Sequence, residues 1–242
     1  MLGMDEDLVI AGPVVFFTGA GISVGAGLPT YRGTGGLYQD SGLEPPNAGD
    51  VTPERLPGLW NRFRPRLRAA DEITPSRAHR HLAEIELGAR EPVTVVTQNV
   101  DGLHQAAGST RVVELHGTLR TMRCLEQQHV TSAEDIQWDE EGVAICPQCG
   151  DMCRPNVVLF GESLPSAAWA DAGEAIASAA TIVAVGTSAA VYPAASLISA
   201  RATSHAVRIW VNPESEPPDD GWTWLQGSAD DMVPRLQCST DD

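Results

Sequence analysis

Four short apolar runs, Pro13 to Phe17, Val93 to Thr97, Ala180 to Val185 and Ala206 to Val211, are separated by stretches whose apolar residues recur at helical spacing. β-branched and aromatic runs of this length read as buried strands, and their alternation with helices predicts an α/β fold with a Rossmann-like, doubly wound parallel sheet. Helices are expected at Ser76 to Leu87, with Ala78, Leu82, Ile85 and Ala83 on one face, and along the alanine-rich stretch Ala167 to Ala179. The first run opens into Thr18-Gly19-Ala20-Gly21, a glycine turn expected to lead into a helix. Small residues there let backbone N–H groups approach the phosphate oxygens of a dinucleotide.

Two intervals break the alternation. Gly33 to Thr74 is rich in Gly, Pro and Arg, and Leu119 to Pro155 holds four of the five cysteines. Together they are expected to form a smaller lobe against the carboxyl edge of the sheet, where open α/β sheets bind their ligands. Five cysteines do not make a disulfide framework, and Cys146, Cys149 and Cys153 crowd one segment as in a metal site.

With 32 acidic residues against 16 arginines and no lysine, the formal charge is −16. That balance excludes nonspecific nucleic-acid binding, which needs clustered basic residues, and favours a protein partner. No apolar run approaches the ~18 residues that cross a bilayer, so no membrane association is expected. Asp5, Glu6 and Asp7 stand where a secretory signal carries basic residues, so the expected compartment is the cytoplasm.

Motifs along the chain narrow the reading. Gly19-Ala20-Gly21-Ile22-Ser23 continues to Pro29-Thr30-Tyr31-Arg32-Gly33; Thr97-Gln98-Asn99-Val100-Asp101-Gly102-Leu103-His104 follows the second strand; Glu114-Leu115-His116-Gly117 comes next; and Arg154-Pro155-Asn156-Val157-Val158-Leu159-Phe160-Gly161-Glu162 closes the second interval. In kind and in order these resemble the signature blocks of the sirtuin family, and the resemblance spans roughly Val14 to Leu236. It implies one catalytic domain over 1–242, with a Rossmann-type core from about 8–32, 75–118 and 156–236 and the small lobe from 33–74 and 119–155.

The same resemblance implies NAD-dependent removal of acyl groups from protein lysines, releasing nicotinamide and O-acyl-ADP-ribose. His116 would be the general base, because imidazole titrates near working pH, and Asn99 would assist in orienting nicotinamide and water. Gly19, Ala20, Gly21, Ile22, Ser23, Tyr31, Arg32, Gln98, Asp101, Gly186, Thr187, Ser188, Asn212, Glu214 and Ala229 would contact NAD, and Val157, Val158, Phe160 and Gly161 the acyl-lysine peptide by β-augmentation. An NAD glycohydrolase or ADP-ribosyltransferase on the same fold would keep the cofactor motifs without needing the peptide segment. An oxidoreductase would carry a full G-x-G-x-x-G and an acidic residue closing the second strand, which are not evident.

Two departures from the family pattern stand out. The family's structural zinc takes two Cys-x-x-Cys pairs, but here Cys124 is followed at position 127 by Gln, a poor ligand. His129 would complete a set with Cys124, Cys146 and Cys149, and Cys153 is the other candidate; the alternative is a degenerate ribbon without metal. Sirtuins that remove acidic acyl groups carry Tyr-x-x-Arg in a helix of the small lobe, where this chain has Phe63 and Arg66. An arginine clamps a carboxylate bidentately, but the missing phenol leaves neutral acyl groups such as acetyl slightly favoured over succinyl or malonyl.

Overall fold

The computed structural model describes residues 7–30, 36, 44–188, 193–194 and 196–239. Strands β1 (Leu8–Ile10) and β2 (Val14–Thr18) lead to helices α1 (Leu56–Glu72) and α2 (Arg77–Gly88), then β3 (Val93–Thr97), α3 (Leu103–Ala106) and β4 (Val112–Glu114). Five strands follow: β5 (Gly117–Cys124), β6 (Val130–Ser132), β7 (Gln137–Trp138), β8 (Ala144–Ile145) and β9 (Met152–Val157). The last third adds α4 (Ser166–Ser178), β10 (Thr181–Val185), α5 (Ser196–Arg201), β11 (Val207–Val211), β12 (Thr223–Leu225), α6 (Ala229–Met232) and β13 (Leu236–Cys238).

Six strands form a parallel sheet in the order β12-β11-β10-β2-β3-β4. The side chains of β2 alternate between its two faces. Val14 and Phe16 enter a cluster with Leu82 and Ile85 of α2, whereas Val15 and Phe17 enter another with Ala172 and Ile176 of α4 and Leu197 of α5. A strand apolar on both sides is the signature of a sheet covered by helices on both faces. β4 and β12 were not expected: each is an edge strand of only three residues, too short to give an apolar run.

The chain order reverses between β2 and β10, which makes their carboxyl ends the topological switch point. There the two glycine turns meet. Gly21 N–H donates to Gly186 O at 2.9 Å, and a Cβ on Gly186, whose φ is +59°, would stand 2.5 Å from the Gly21 carbonyl carbon. The expected helix after the first turn is instead a 3₁₀ turn over Ala20–Ala26 that ends at left-handed Gly27. Gly21 and Gly25 within it disfavour an α-helix.

Strands β5 to β9 form an antiparallel sheet in the order β6-β5-β9-β8-β7. Leu56, Leu59, Trp60 and Phe63 of α1 pack on it together with Leu119, Met122, Val143, Val157 and Leu159, forming a third apolar cluster. Trp60 Nε1 donates to Cys153 O at 2.8 Å, and the Trp60 and Trp138 rings meet edge to face at 4.9 Å. α2 spans nearly the expected residues, capped by Ser76, but its buried face carries His79 where Ala83 was expected.

Candidate functional site

Polar residues close the apolar strands at one end of the parallel sheet, and hydrogen bonds tie the turns beyond them together. Thr18 and Thr97 are paired in register on β2 and β3, and Thr18 Oγ1 donates to Thr97 Oγ1 at 2.8 Å. In the turn after β3, Asn99 Nδ2 donates to Gly19 O at 3.2 Å and to Ser23 Oγ at 3.1 Å. A carbonyl acceptor identifies that atom as nitrogen, so Asn99 Oδ1 is the group left for a ligand. Ser23 Oγ donates to Asp101 Oδ2 at 2.8 Å, and Asp101 Oδ1 accepts from Leu103 N–H at 3.0 Å. Asp101, expected among the residues that contact NAD, thereby also ties Ser23 of the glycine turn to the turn after β3.

His116 follows β4. Its Nδ1 lies 2.8 Å from Gln98 O. A carbonyl cannot donate, so Nδ1 carries the proton and Nε2 is left as the base. Burial lowers the His116 pKa, partly offset by the Gln98 carbonyl, so the imidazole is neutral at pH 7. Gln98 Nε2 reaches Thr187 Oγ1 at 3.1 Å, and Asn212 Nδ2 donates to Thr187 O at 2.9 Å. The ends of β2, β3, β4, β10 and β11 are thus joined in one network.

Other expected contacts are placed differently. Ser188 and Glu214 are exposed near the ends of β10 and β11, with Glu214 N–H held by Asn212 Oδ1 at 3.1 Å. Ile22 and Ala229 are buried in the cluster below the turn, and Ala229 opens α6 behind its Ser228 cap. Ala20 is half-buried in the turn itself. Tyr31 and Arg32 lie outside the described residues. Strand β9 ends at Val157; Val158 N–H donates to His116 O at 2.8 Å, and Leu159 to Glu162 form a turn around left-handed Gly161 that leaves Phe160 49% exposed. The expected continuous strand is therefore a strand followed by a turn, because Gly161 at φ +87° cannot continue a pleat.

Beneath the network lie two further histidines, His104 of α3 and His79 of α2. His104 Nε2 lies 2.9 Å from Thr18 Oγ1, His79 Nδ1 lies 3.0 Å from Ser76 Oγ, and the two rings meet at 4.8 Å. Desolvation lowers their pKa values to about 4 for His79 and about 3 for His104. The folded chain keeps both neutral while the unfolded chain protonates them below about pH 6.5, so stability is constant above that pH and falls as pH drops towards 4. By pH 5 the loss is on the order of 1–2 kcal/mol for each histidine. Urea unfolding at pH 7.5 and 5.0 should show it, and His104→Asn should remove about half; an unchanged pH difference in that variant would contradict the assignment.

At the far end of the antiparallel sheet, the donor atoms of Cys124, His129, Cys146 and Cys149 lie within 4.8 Å of one another. Cys124 Sγ is 3.5 Å from Cys149 Sγ, and Cys146 Sγ is 3.5 Å from His129 Nδ1. Tetrahedral zinc with bonds of about 2.0 Å to nitrogen and 2.3 Å to sulfur has edges of about 3.5–3.8 Å, so this set fits. The hairpin between β5 and β6 explains why residue 129, and not 127, stands in the set. Gln128 takes a left-handed conformation, φ +57°, and Cys124 N–H donates to His129 O at 2.9 Å, which sets His129 beside Cys124. Cys153 stands outside the set, in the apolar cluster, where burial pushes its thiol up to about 12.

Phe63 is 6% exposed in the α1 cluster, and the Arg66 guanidinium sits over its ring at 5.6 Å. No described helix is long and apolar enough to cross a membrane.

The NAD-dependent protein deacylase 2 of Pyrobaculum aerophilum is 40% identical over 228 residues, covering 92% of this chain and 88% of the relative. The NAD-dependent protein deacylase of Pyrococcus furiosus is 35% identical, covering 98% and 96%. Among solved structures, a mutant Sir2 homologue in complex with ADP-ribose superposes with a TM-score of 0.79 at 33% identity, covering 91% of this chain and 88% of that one. A Sir2–p53 peptide–NAD+ complex gives 0.75 at 31%, covering 96% and 93%. The Sir2 family pattern itself matches residues 19–193, a stretch that holds the glycine turn, His116 and all four metal-set donors, and the chain belongs to that family.

Proposed function

We propose that this protein is an NAD-dependent protein-lysine deacylase. The observation that carries the reading is the placement of His116: its Nδ1 is held by Gln98, its backbone carbonyl accepts from Val158, and the glycine turn of the switch point is tied to the same network. One residue therefore joins a dinucleotide end and a peptide end. Relatives named as NAD-dependent deacylases and a related complex with peptide and NAD+ support the same reading.

NAD would supply the glycosidic bond that releases nicotinamide and the ribose that accepts the acyl group. Gly19 and Gly21 give the backbone room for the pyrophosphate. Asn99 Oδ1 is the acceptor for the carboxamide or a water, Ser23 is held ready by Asp101, and Thr187 and Asn212 line the adenosine side. Neutral His116 accepts the proton of a ribose hydroxyl at Nε2. These groups act by placement and by excluding water.

Cys124, His129, Cys146 and Cys149 would hold a structural zinc, which would pin the β5–β6 hairpin to the turn before β9. We take 8–32, 75–118 and 156–236 as the core and 33–74 and 119–155 as the lobe; the separate apolar cluster of α1 and the antiparallel sheet supports that division. The five unpaired cysteines fit a reducing cytoplasm. The charge of −16 speaks for protein substrates and against nucleic acid.

Phe63 is occupied by the lobe core, which favours neutral acyl groups, with Arg66 supplying residual tolerance of acidic ones. The test is nicotinamide release from NAD with and without acetyl- or succinyl-lysine peptides, followed by mass measurement of the peptide. Peptide-dependent release with loss of the acyl group is expected, acetyl ahead of succinyl. Release without peptide would establish the glycohydrolase alternative instead. Arg66→Ala should lower succinyl turnover about tenfold relative to acetyl, since a charge-assisted bond contributes about 1.5–3 kcal/mol. Equal loss on both peptides would assign Arg66 to packing over Phe63.

A further inference from the structure

The segment after β9 is organised by one buried cation. The Arg154 side chain is 4% exposed and forks onto Glu162: Nη1 meets Oε1, and Nη2 donates to Oε2 at 3.0 Å. Nη2 also donates to Val157 O at 2.6 Å and Nε to Pro155 O at 3.2 Å, while Glu162 Oε2 accepts from Leu159 N–H at 2.8 Å. The pair therefore occupies the carbonyl of Val157 and the N–H of Leu159, on either side of Val158.

Neighbouring backbone occupies most of what remains. Val158 N–H goes to His116 O, Glu162 N–H to Leu159 O, and Phe160 exchanges both its groups with Pro46 and Ala48 of the small lobe. Within 158–162 only Val158 C=O, the two main-chain groups of Gly161 and Glu162 C=O have no hydrogen-bond partner among the described residues. A buried ion pair is weak evidence of stabilisation, because desolvation offsets its attraction. Here its geometric effect is plain: it decides which backbone groups beside His116 stay open.

We propose that Arg154 and Glu162 are positioning residues for the acyl-lysine peptide. By occupying Val157 C=O and Leu159 N–H they leave Val158 C=O and Gly161 as the main-chain contacts of the peptide. They thereby fix its register against His116, which is one hydrogen bond away. The inference rests on the deacylase reading. It adds that peptide binding depends on two side chains that touch neither peptide nor NAD.

Two variants test it: Glu162→Gln, which keeps an acceptor for Leu159 but drops the charge, and the double variant Arg154→Met, Glu162→Leu, which replaces the pair by apolar side chains of similar size. The readouts are the Kd of a fluorescein-labelled acetyl-lysine peptide by anisotropy, kcat and KM for peptide and for NAD, and the melting temperature. Peptide Kd and KM should rise about tenfold, roughly the effect of losing one main-chain hydrogen bond between Val158 or Gly161 and the peptide. kcat, KM for NAD and the double variant's melting temperature should stay near wild type. A folded variant with unchanged peptide Kd, whatever its melting temperature, assigns the pair to stability alone and overturns the proposal. Failure of the deacylase reading is separately visible, because the wild-type chain would then bind no acyl peptide or release nicotinamide equally without it.

Discussion

Replacing His116 by alanine is expected to lower turnover of an acyl-lysine peptide by roughly 10²–10⁴-fold, the usual contribution of a positioned general base, while NAD affinity stays close to wild type. The imidazole is positioned through Nδ1 on Gln98 O, and nothing in that contact holds the glycine turn, which Asn99, Ser23 and Asp101 fix independently. Binding and chemistry should therefore separate. Burial lowers the His116 pKa below its ordinary 6.5, so the base is already deprotonated at neutral pH. The rate should be flat across neutrality and fall on the acid side, below pH 6.5, in wild type. Isothermal titration with NAD and peptide turnover in the same preparation check both halves. Unchanged turnover in His116→Ala would overturn the assignment of the base.

Removing the metal is expected to have the largest effect on stability. Apparent binding energies of structural zinc sites reach about 10 kcal/mol or more, and here the set joins the β5–β6 hairpin to the turn after β8, and Cys124 and Cys146 are themselves members of the α1 cluster. Metal analysis of gently purified protein should give about one zinc per chain. Chelation or Cys149→Ser should lower the melting temperature by many degrees and change the tryptophan emission of Trp60 and Trp138, whose rings touch inside that lobe. An emission spectrum and melting curve untouched by metal removal would make the ribbon one held by packing alone.

Much of this was legible along the chain because the informative signals are local. Two-sided apolar strands must be covered by helices, so Val14 to Thr18, Val93 to Thr97, Thr181 to Val185 and Val207 to Val211 fall almost where their runs predict. The motif residues at their carboxyl ends inherit a shared edge from the parallel order alone. His129 was already a ligand candidate from its side-chain chemistry, before the hairpin showed how it comes to stand beside Cys124.

Other features depend on which segments meet, and no local pattern encodes that. The buried pair of His79 and His104 arises because α2 and α3 converge beneath Thr18, and desolvation there lowers both pKa values. The hydrogen bond from Ser23 to Asp101 likewise joins two turns 78 residues apart in the chain. The Gly21–Gly186 approach needs two chain crossings separated by most of the fold. Thus the sequence by itself determined four of the six strands of the parallel sheet and the order of the motifs. Tertiary structure alone decided which polar atoms remain open at the site, because hydrogen bonds saturate: a donor or acceptor taken by a distant neighbour is no longer offered to a ligand.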